Sequence, residues 1–287
     1  MSARIIDGVA IAREVRGEWK LRADRLNALG SPPGLAVIMV GENPASKVYV
    51  SNKLKASAEM GIGSQKFLYP ADASESQVLE RITALNGDPT CHGILVQLPL
   101  PPQISVRKVL ETISPDKDVD GFHLYNVGGL VAGGTVFPPC TPYGVMCLLE
   151  RSAIPIAGQN VTVVGASNIV GKPLGLMFLQ REATVAICHV KTRDLAQFTI
   201  AADILVVAAG QPNLVTAPMV RTGAVVIDVG INRLPDGRLL GDVEFETVRK
   251  KASHITPVPG GVGPMTVTML LCNTIASAER HLQAKAA

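Results

Sequence analysis

Val161-Thr162-Val163-Val164-Gly165-Ala166-Ser167-Asn168-Ile169-Val170-Gly171-Lys172-Pro173 reads as a strand, a tight turn and the first turn of a helix. Such a turn aims backbone N–H groups at a phosphate. It is not a regular G-x-G-x-x-G: Ser167 stands where the second glycine would be, and Gly171 comes one residue late. A βα turn that binds nothing can also carry such glycines, so the context has to decide. Residues 184–187, 204–208 and 224–229 are further short, apolar, β-rich runs separated by turns or helices. Continuous apolar strands alternating with helices imply a parallel sheet covered on both faces. In that setting the glycine turn is expected to bind a dinucleotide.

Upstream the same alternation recurs. A helical pattern carries Ile11, Val15, Trp19, Leu26 and Leu29, and the breaker Ser31-Pro32-Pro33-Gly34 ends it before an apolar strand at 35–40. Asn43-Pro44 reads as an N-cap with proline in the first helical turn, opening a helix that ends near Met60-Gly61. A strand at 65–68, a helix at 75–85 and a strand at 93–98 follow, and a last helix is expected from Met265 to about Gln283. The fold class is therefore α/β with two domains. Residues 1–145 with 267–287 form the first and 146–266 the second, joined somewhere in 141–156.

Composition narrows the function. The chain has 287 residues, 47% hydrophobic and 18% charged, which suits two globular domains with substantial cores. A net charge of +3, spread over both signs, argues against a nucleic-acid partner. No apolar run approaches a membrane span, and Asp7-Gly8 interrupts any signal-peptide pattern. Cys91, Cys140, Cys147, Cys188 and Cys272 are odd in number and sit mostly among apolar residues. Reduced, buried thiols of a cytoplasmic protein are the simplest account. None has zinc-ligand spacing, so no metal is expected.

Four further segments could carry chemistry. Ser46, Tyr49 and Lys53 share one helix face by i+3 and i+4 spacing, and a lysine shielded from water can serve as acid or base. A Tyr/Lys pair is also ordinary surface chemistry. Gln97 ends an apolar strand before Leu98-Pro99-Leu100-Pro101, where open α/β sheets bind ligands; capping of local backbone is the alternative. Asp116-Lys117-Asp118-Val119-Asp120-Gly121 begins like a calcium loop, but Val127 stands where the bidentate Glu belongs. An acidic loop remains, readable as a solvated turn. Pro257-Val258-Pro259-Gly260-Gly261-Val262-Gly263-Pro264-Met265-Thr266 lacks the ending of a P-loop. Close approach to a flat ligand or a tight interdomain turn would each explain its glycines.

Taken together, these segments resemble the bifunctional methylenetetrahydrofolate dehydrogenase/methenyltetrahydrofolate cyclohydrolase family. The resemblance runs from Ile5-Ile6-Asp7-Gly8 to Asn273-Thr274 and is densest at 49–53, 93–101, 116–122, 165–173 and 257–266. It implies an N-terminal α/β substrate domain, a Rossmann-like dinucleotide domain, folate in the cleft between them, NADP as cofactor and a cytoplasmic homodimer. By motif position Lys53 would be the catalytic acid/base, Gln97 its tuning partner, Tyr49 the residue lining the pterin and Asp120 the ligand of the pterin's amino edge. Gly260 and Gly261 would border the folate. Gly165, Ala166, Ser167, Ile169, Ile231 and Thr266 would touch the dinucleotide. Ala166 and Val190 stand where some members carry Arg or Ser for the cofactor phosphate, so Lys191 and Arg193 become the candidate ligands of the 2′-phosphate.

The implied chemistry is hydride transfer from the methylene bridge, then water attack on the methenyl carbon. The first needs alignment of two carbons, the second proton transfers. Three other readings compete. A dehydrogenase without hydrolase activity would not need Tyr49, Lys53 and Gln97 together. A different two-domain oxidoreductase, such as one acting on an amino acid, leaves Asp120 and the Gln97-Leu98-Pro99 strand end unexplained. A non-catalytic dinucleotide sensor would not need the polar set at all.

Overall fold

The structure, a computed structural model, describes residues 2–286. Its elements begin with β1 (Arg4–Ile5), α1 (Gly8–Ala28), β2 (Gly34–Val40), α2 (Pro44–Glu59), β3 (Gly63–Tyr69), α3 (Glu75–Gly87) and β4 (Gly93–Val96). Helices α4 (Val106–Thr112), α5 (Leu124–Ala132) and α6 (Cys140–Arg151) follow. Then come β5 (Asn160–Val164), α7 (Gly171–Leu179), β6 (Thr184–Cys188), α8 (Ala196–Thr199), β7 (Ile204–Val207) and β8 (Val225–Asp228). The chain ends with β9 (Asn232–Arg233), β10 (Leu239–Leu240), α9 (Phe245–Val248), β11 (His254–Ile255) and α10 (Val262–Ala286). The chain divides into two compact units: residues 14–140 with 267–286, and residues 2–13 with Thr141–Thr266. None of the described helices is long and apolar enough to cross a membrane.

The first unit is built on a parallel three-stranded sheet ordered β3-β2-β4. Its central strand runs Leu-Ala-Val-Ile-Met-Val with every side chain buried, as a strand covered on both faces must. Edge strand β3 is mostly exposed and accordingly reads Ser-Gln-Lys before its first apolar residue. On α3, Val78, Ile82 and Leu85 recur at helical spacing and are buried. Each such side chain contributes about 1.5–3 kcal/mol on leaving water. A capping box starts this helix: Ser74 accepts the Gln77 N–H, and Gln77 reaches back to Ser74.

The segment 116–121 is not a solvated turn. Lys117 is buried, and its ammonium donates to the carbonyls of Leu85, Asn86 and Asp88 at 3.0, 2.8 and 2.7 Å. A cation thereby closes the open carbonyl end of α3. Asp118 is equally buried and accepts from the His123 N–H and the Asn126 amide, each at 2.8 Å. Desolvation raises its pKa, and those donors work against the rise. The loop is thus pinned from both ends of its charge pattern, which leaves Asp120 in a fixed place.

The second unit holds a six-stranded parallel sheet ordered β1-β11-β8-β7-β5-β6. From β5 the chain goes outward to β6 and then returns past β5 to β7, so the winding reverses between β5 and β7. Ligands of open α/β sheets bind in the crevice at that reversal, beyond the carboxyl ends of the strands. Central strands β7 and β8 are buried throughout, whereas edge strand β6 is half exposed. The sequence division places the N-terminal residues in the first domain, but by contact they group with this sheet. Arg4 donates to the Ser253 carbonyl and Ile6 to that of Ile255, which adds β1 as an edge strand.

Candidate functional site

Helix α2 starts where Asn43 accepts the Ser46 N–H at 3.2 Å. Its face carries Ser46, buried, then Tyr49, exposed, and one turn later Lys53, half-buried. Strand β4 lies beside β2, and Gln97 follows it directly, its N–H bound to the Ile38 carbonyl at 2.8 Å. The Gln97 side-chain amide donates to the Leu98 carbonyl at 2.7 Å. That bond leaves its oxygen aimed at Lys53, whose Nζ donates to Oε1 at 3.2 Å. Gln97 therefore does more than cap local backbone: one end of its amide is tied down and the other holds the lysine.

Asp120 joins this pair. Burial pushes its carboxyl up to about 6; the Lys53 ammonium pulls the other way, and the Asp118 carboxylate adds to the rise. Lys53, Gln97 and Asp120 thus come from a helix, a strand end and a loop of one unit, the first two hydrogen-bonded and Asp120 within the electrostatic reach of Lys53. Two supporting residues had no signal in the sequence. The Cys140 thiol, hydrogen-bonded to the Val119 carbonyl at 3.1 Å, also contacts the Asp120 carboxyl. Asn273 on α10 donates to the carbonyls of Val119 and Pro138 at 2.9 and 3.2 Å. Both contacts pair residues far apart in the chain, which no local pattern reveals. All five cysteines are buried, and burial pushes the Cys140 thiol well above its ordinary pKa.

The glycine turn lies in the other unit, at the sheet's winding reversal. Gly165 has φ of +121°, and a Cβ there would overlap the Ala208 carbonyl, so the turn runs against the end of β7 with no space for a side chain. Ser167 accepts the N–H groups of Val170 and Gly171 at 3.1 and 3.4 Å, so its hydroxyl caps the start of α7. Gly165 donates to the Cys188 carbonyl at 2.9 Å, which brings the end of β6 alongside. There the basic turn folds on itself: His189 N–H donates to Thr192 Oγ1 at 2.9 Å and Lys191 N–H to His189 Nδ1 at 3.1 Å. Val190, Lys191 and Arg193 are exposed, Val190 almost completely. Ala166 is half-buried, and Ile169 and Ile231 are exposed.

Gly260 and Gly261 also belong to this second unit, in the turn before α10, and Gly260 has φ of +106°. A Cβ on Gly8 would overlap the Gly261 carbonyl, so the N-terminal segment packs directly on that turn. Thr266 shares a hydroxyl hydrogen bond with Thr141 at 3.0 Å. Two buried acids of this unit, Asp228 at the last position of β8 and Asp242 just past β10, were not singled out by the sequence pattern.

Comparison with known proteins agrees with both halves. The tetrahydrofolate dehydrogenase/cyclohydrolase catalytic-domain model matches residues 6–120, and the NAD(P)-binding-domain model of the same family matches residues 139–282. The bifunctional protein FolD of Nitrosospira multiformis is 60% identical over 98% of this chain and 97% of its own length. The bifunctional methylenetetrahydrofolate dehydrogenase/cyclohydrolase structure from Campylobacter jejuni superposes with a TM-score of 0.96 at 49% identity, covering 97% of this chain and 99% of that one. The Trypanosoma brucei methylenetetrahydrofolate dehydrogenase-cyclohydrolase, solved with NADP and an inhibitor, gives 0.95 at 39% identity over 99% of each chain. A two-domain α/β chain with an NAD(P)-binding half and a catalytic half, matched along nearly its whole length, this protein belongs to the tetrahydrofolate dehydrogenase/cyclohydrolase family.

Proposed function

We propose that this chain oxidises 5,10-methylenetetrahydrofolate to 5,10-methenyltetrahydrofolate with NADP and hydrolyses the product to 10-formyltetrahydrofolate. The observation that carries this reading is the Lys53 ammonium held by Gln97 at 3.2 Å beside the Asp120 carboxyl. Tyr49, one helical turn from Lys53, lines the pterin, and Asp120 accepts hydrogen bonds from the pterin's amino edge. NADP supplies the hydride acceptor. Gly165, Ala166, Ser167, Ile169, Ile231 and Thr266 hold it, and Gly260 and Gly261 border the folate. The Gly165 turn fits this role because it has no side chain to fill the space in which backbone N–H groups approach a pyrophosphate.

In the hydrolytic step water adds to the methenyl carbon, and the adduct opens to the formyl compound. Lys53 moves the proton between the attacking water and the departing ring nitrogen, within reach of the Gln97 oxygen that orients it. An assay with methylenetetrahydrofolate and either nicotinamide cofactor tests the whole reading. Reduction of the cofactor followed by loss of methenyl absorbance is the expected result; failure of either stage refutes the corresponding half.

The cofactor is expected to be NADP rather than NAD. After β6 the chain presents His189, Lys191, Thr192 and Arg193 before its first acid, Asp194. A carboxylate at the strand tip would accept ribose hydroxyls and repel a 2′-phosphate. Here the exposed cations Lys191 and Arg193 stand three and five residues beyond a strand end tied to the glycine turn. One charge-assisted contact contributes roughly 1.5–3 kcal/mol, on the order of a ten- to hundredfold preference. Comparing kcat/KM for both cofactors in wild type, Lys191→Ala and Arg193→Ala checks this. Equal use of NAD and NADP by the wild type would sink the preference. A preference untouched by both substitutions would refute the two ligands.

The working form we propose is a cytoplasmic homodimer. Its five buried, unbridged thiols suit a reducing compartment. Edge strand β6 leaves hydrogen-bonding backbone and the exposed Ile187 available to a second copy.

A further inference from the structure

Asp242 and Asp228 form an internal brace at the carboxyl end of the six-stranded sheet. Asp242, fully buried, takes the N–H groups of Ala209 and Gly210 on one oxygen at 2.7 and 2.8 Å. Its other oxygen accepts from the Asn232 side-chain amide at 2.8 Å. Asp228, the last residue of β8, accepts from the N–H groups of Gly230 and Asp242 on one oxygen and of Val243 on the other, all at 2.9 Å. Every one of these donors is an amide; no lysine, arginine or histidine is among them. Cβ atoms at Gly230 and Gly241 would overlap the two carboxyl groups, so glycine is needed for the acids to sit this close to the backbone. Burial, together with the neighbouring Asp242, pushes Asp228 up to about 6, against the pull of its three backbone donors.

The braced segments have a common location. Ala208, Ala209 and Gly210 follow β7, and the Ala208 carbonyl is the group against which the Gly165 turn closes. Gly230, Ile231 and Asn232 follow the adjacent strand β8. One carboxylate thus ties the wall behind the glycine turn to the segment that carries Ile231. We infer that Asp242 is a positioning residue for the dinucleotide, setting the spacing between the 208–210 and 230–232 segments that flank it. The inference rests on the proposed dinucleotide site.

The test is Asp242→Asn, which keeps the shape and replaces one accepting oxygen with a donor facing other donors. NADP affinity by isothermal titration and KM for NADP in the dehydrogenase assay are both expected to weaken by about tenfold or more. Methenyl hydrolysis in the same preparation, which uses no dinucleotide, is expected to stay within about twofold of wild type. A general structural defect would instead lower both activities together, and that result overturns the inference, as does an unchanged NADP affinity. Should Asp242→Asn fail to fold, Asn232→Ala removes the amide that donates to Asp242 and, at 3.3 Å, to the Leu240 carbonyl. A KM for NADP raised severalfold, with hydrolysis intact, supports the brace, and an unchanged KM overturns it. A wild type that binds no dinucleotide would instead refute the site reading itself, and the inference with it.

Discussion

Lys53→Met is expected to abolish methenyl hydrolysis while leaving a folded protein that binds NADP. Methionine keeps the length and the apolar stem of lysine but has neither a proton to give nor a basic lone pair to take one. Positioned acid–base groups contribute on the order of 10²–10⁴-fold. Tyr49 is too exposed, and Asp120 is assigned to binding, so neither substitutes for the lysine. The glycine turn and the basic turn lie in the other compact unit, which is why dinucleotide affinity is expected to persist. Following methenyl absorbance under single-turnover conditions, with NADP binding measured in parallel, separates the outcomes. Full hydrolysis by the variant would remove Lys53 from the mechanism. Gln97→Ala is the companion: it frees the ammonium from its 3.2 Å partner and should impair hydrolysis less than loss of the lysine itself.

The residues to which these roles are proposed could be found in the chain because they sit in local patterns. A glycine turn between an apolar run and a helix, three polar residues at helical spacing, and an amide at a strand end each announce themselves within a dozen residues. What escaped is long-range or too short to have a period. Strands β1 and β11 are two residues each, and their pairing joins chain positions about 250 apart, so neither shows an alternation. Helix α5 escaped because its segment, Leu-Tyr-Asn-Val-Gly-Gly-Leu-Val-Ala, contains two glycines that argue against helix; left-handed Gly133, whose N–H donates to the Gly129 carbonyl, closes its end. The loop at 116–121 looked solvated because three acids in six residues usually are. Its burial depends on the carbonyl end of α3 and on Asn126, partners that no short window contains. The brace of Asp228 and Asp242 escaped for the same reason, since its donors are backbone groups that any sequence possesses.

Asp120 should lose folate in two ways, by substitution and by acid. Ionised, its carboxylate can accept paired hydrogen bonds from the pterin's amino edge; Asp120→Ala leaves those donors unpaired. That costs roughly 1–3 kcal/mol, about a five- to hundredfold loss of folate affinity, with NADP affinity unchanged. The pH dependence follows from the raised pKa, which burial pushes from 3.8 up to about 6. Below about 6 the group holds a proton and no longer presents two acceptors, so folate affinity should fall as pH falls through 6 in the wild type and stay flat in Asp120→Ala. Stability runs the opposite way. A carboxyl whose folded pKa exceeds its unfolded value stabilises the fold most when protonated, below about pH 4, and that contribution is lost as pH rises through 6. Asp120→Asn, which keeps the shape without the charge, should therefore melt no lower than wild type at pH 7.5 while binding folate less well. Titrating folate affinity and Tm between pH 5 and 8 for the three proteins checks both directions at once. A flat wild-type binding profile, or a folate affinity unaltered in Asp120→Ala, would reduce Asp120 to a structural residue of its loop.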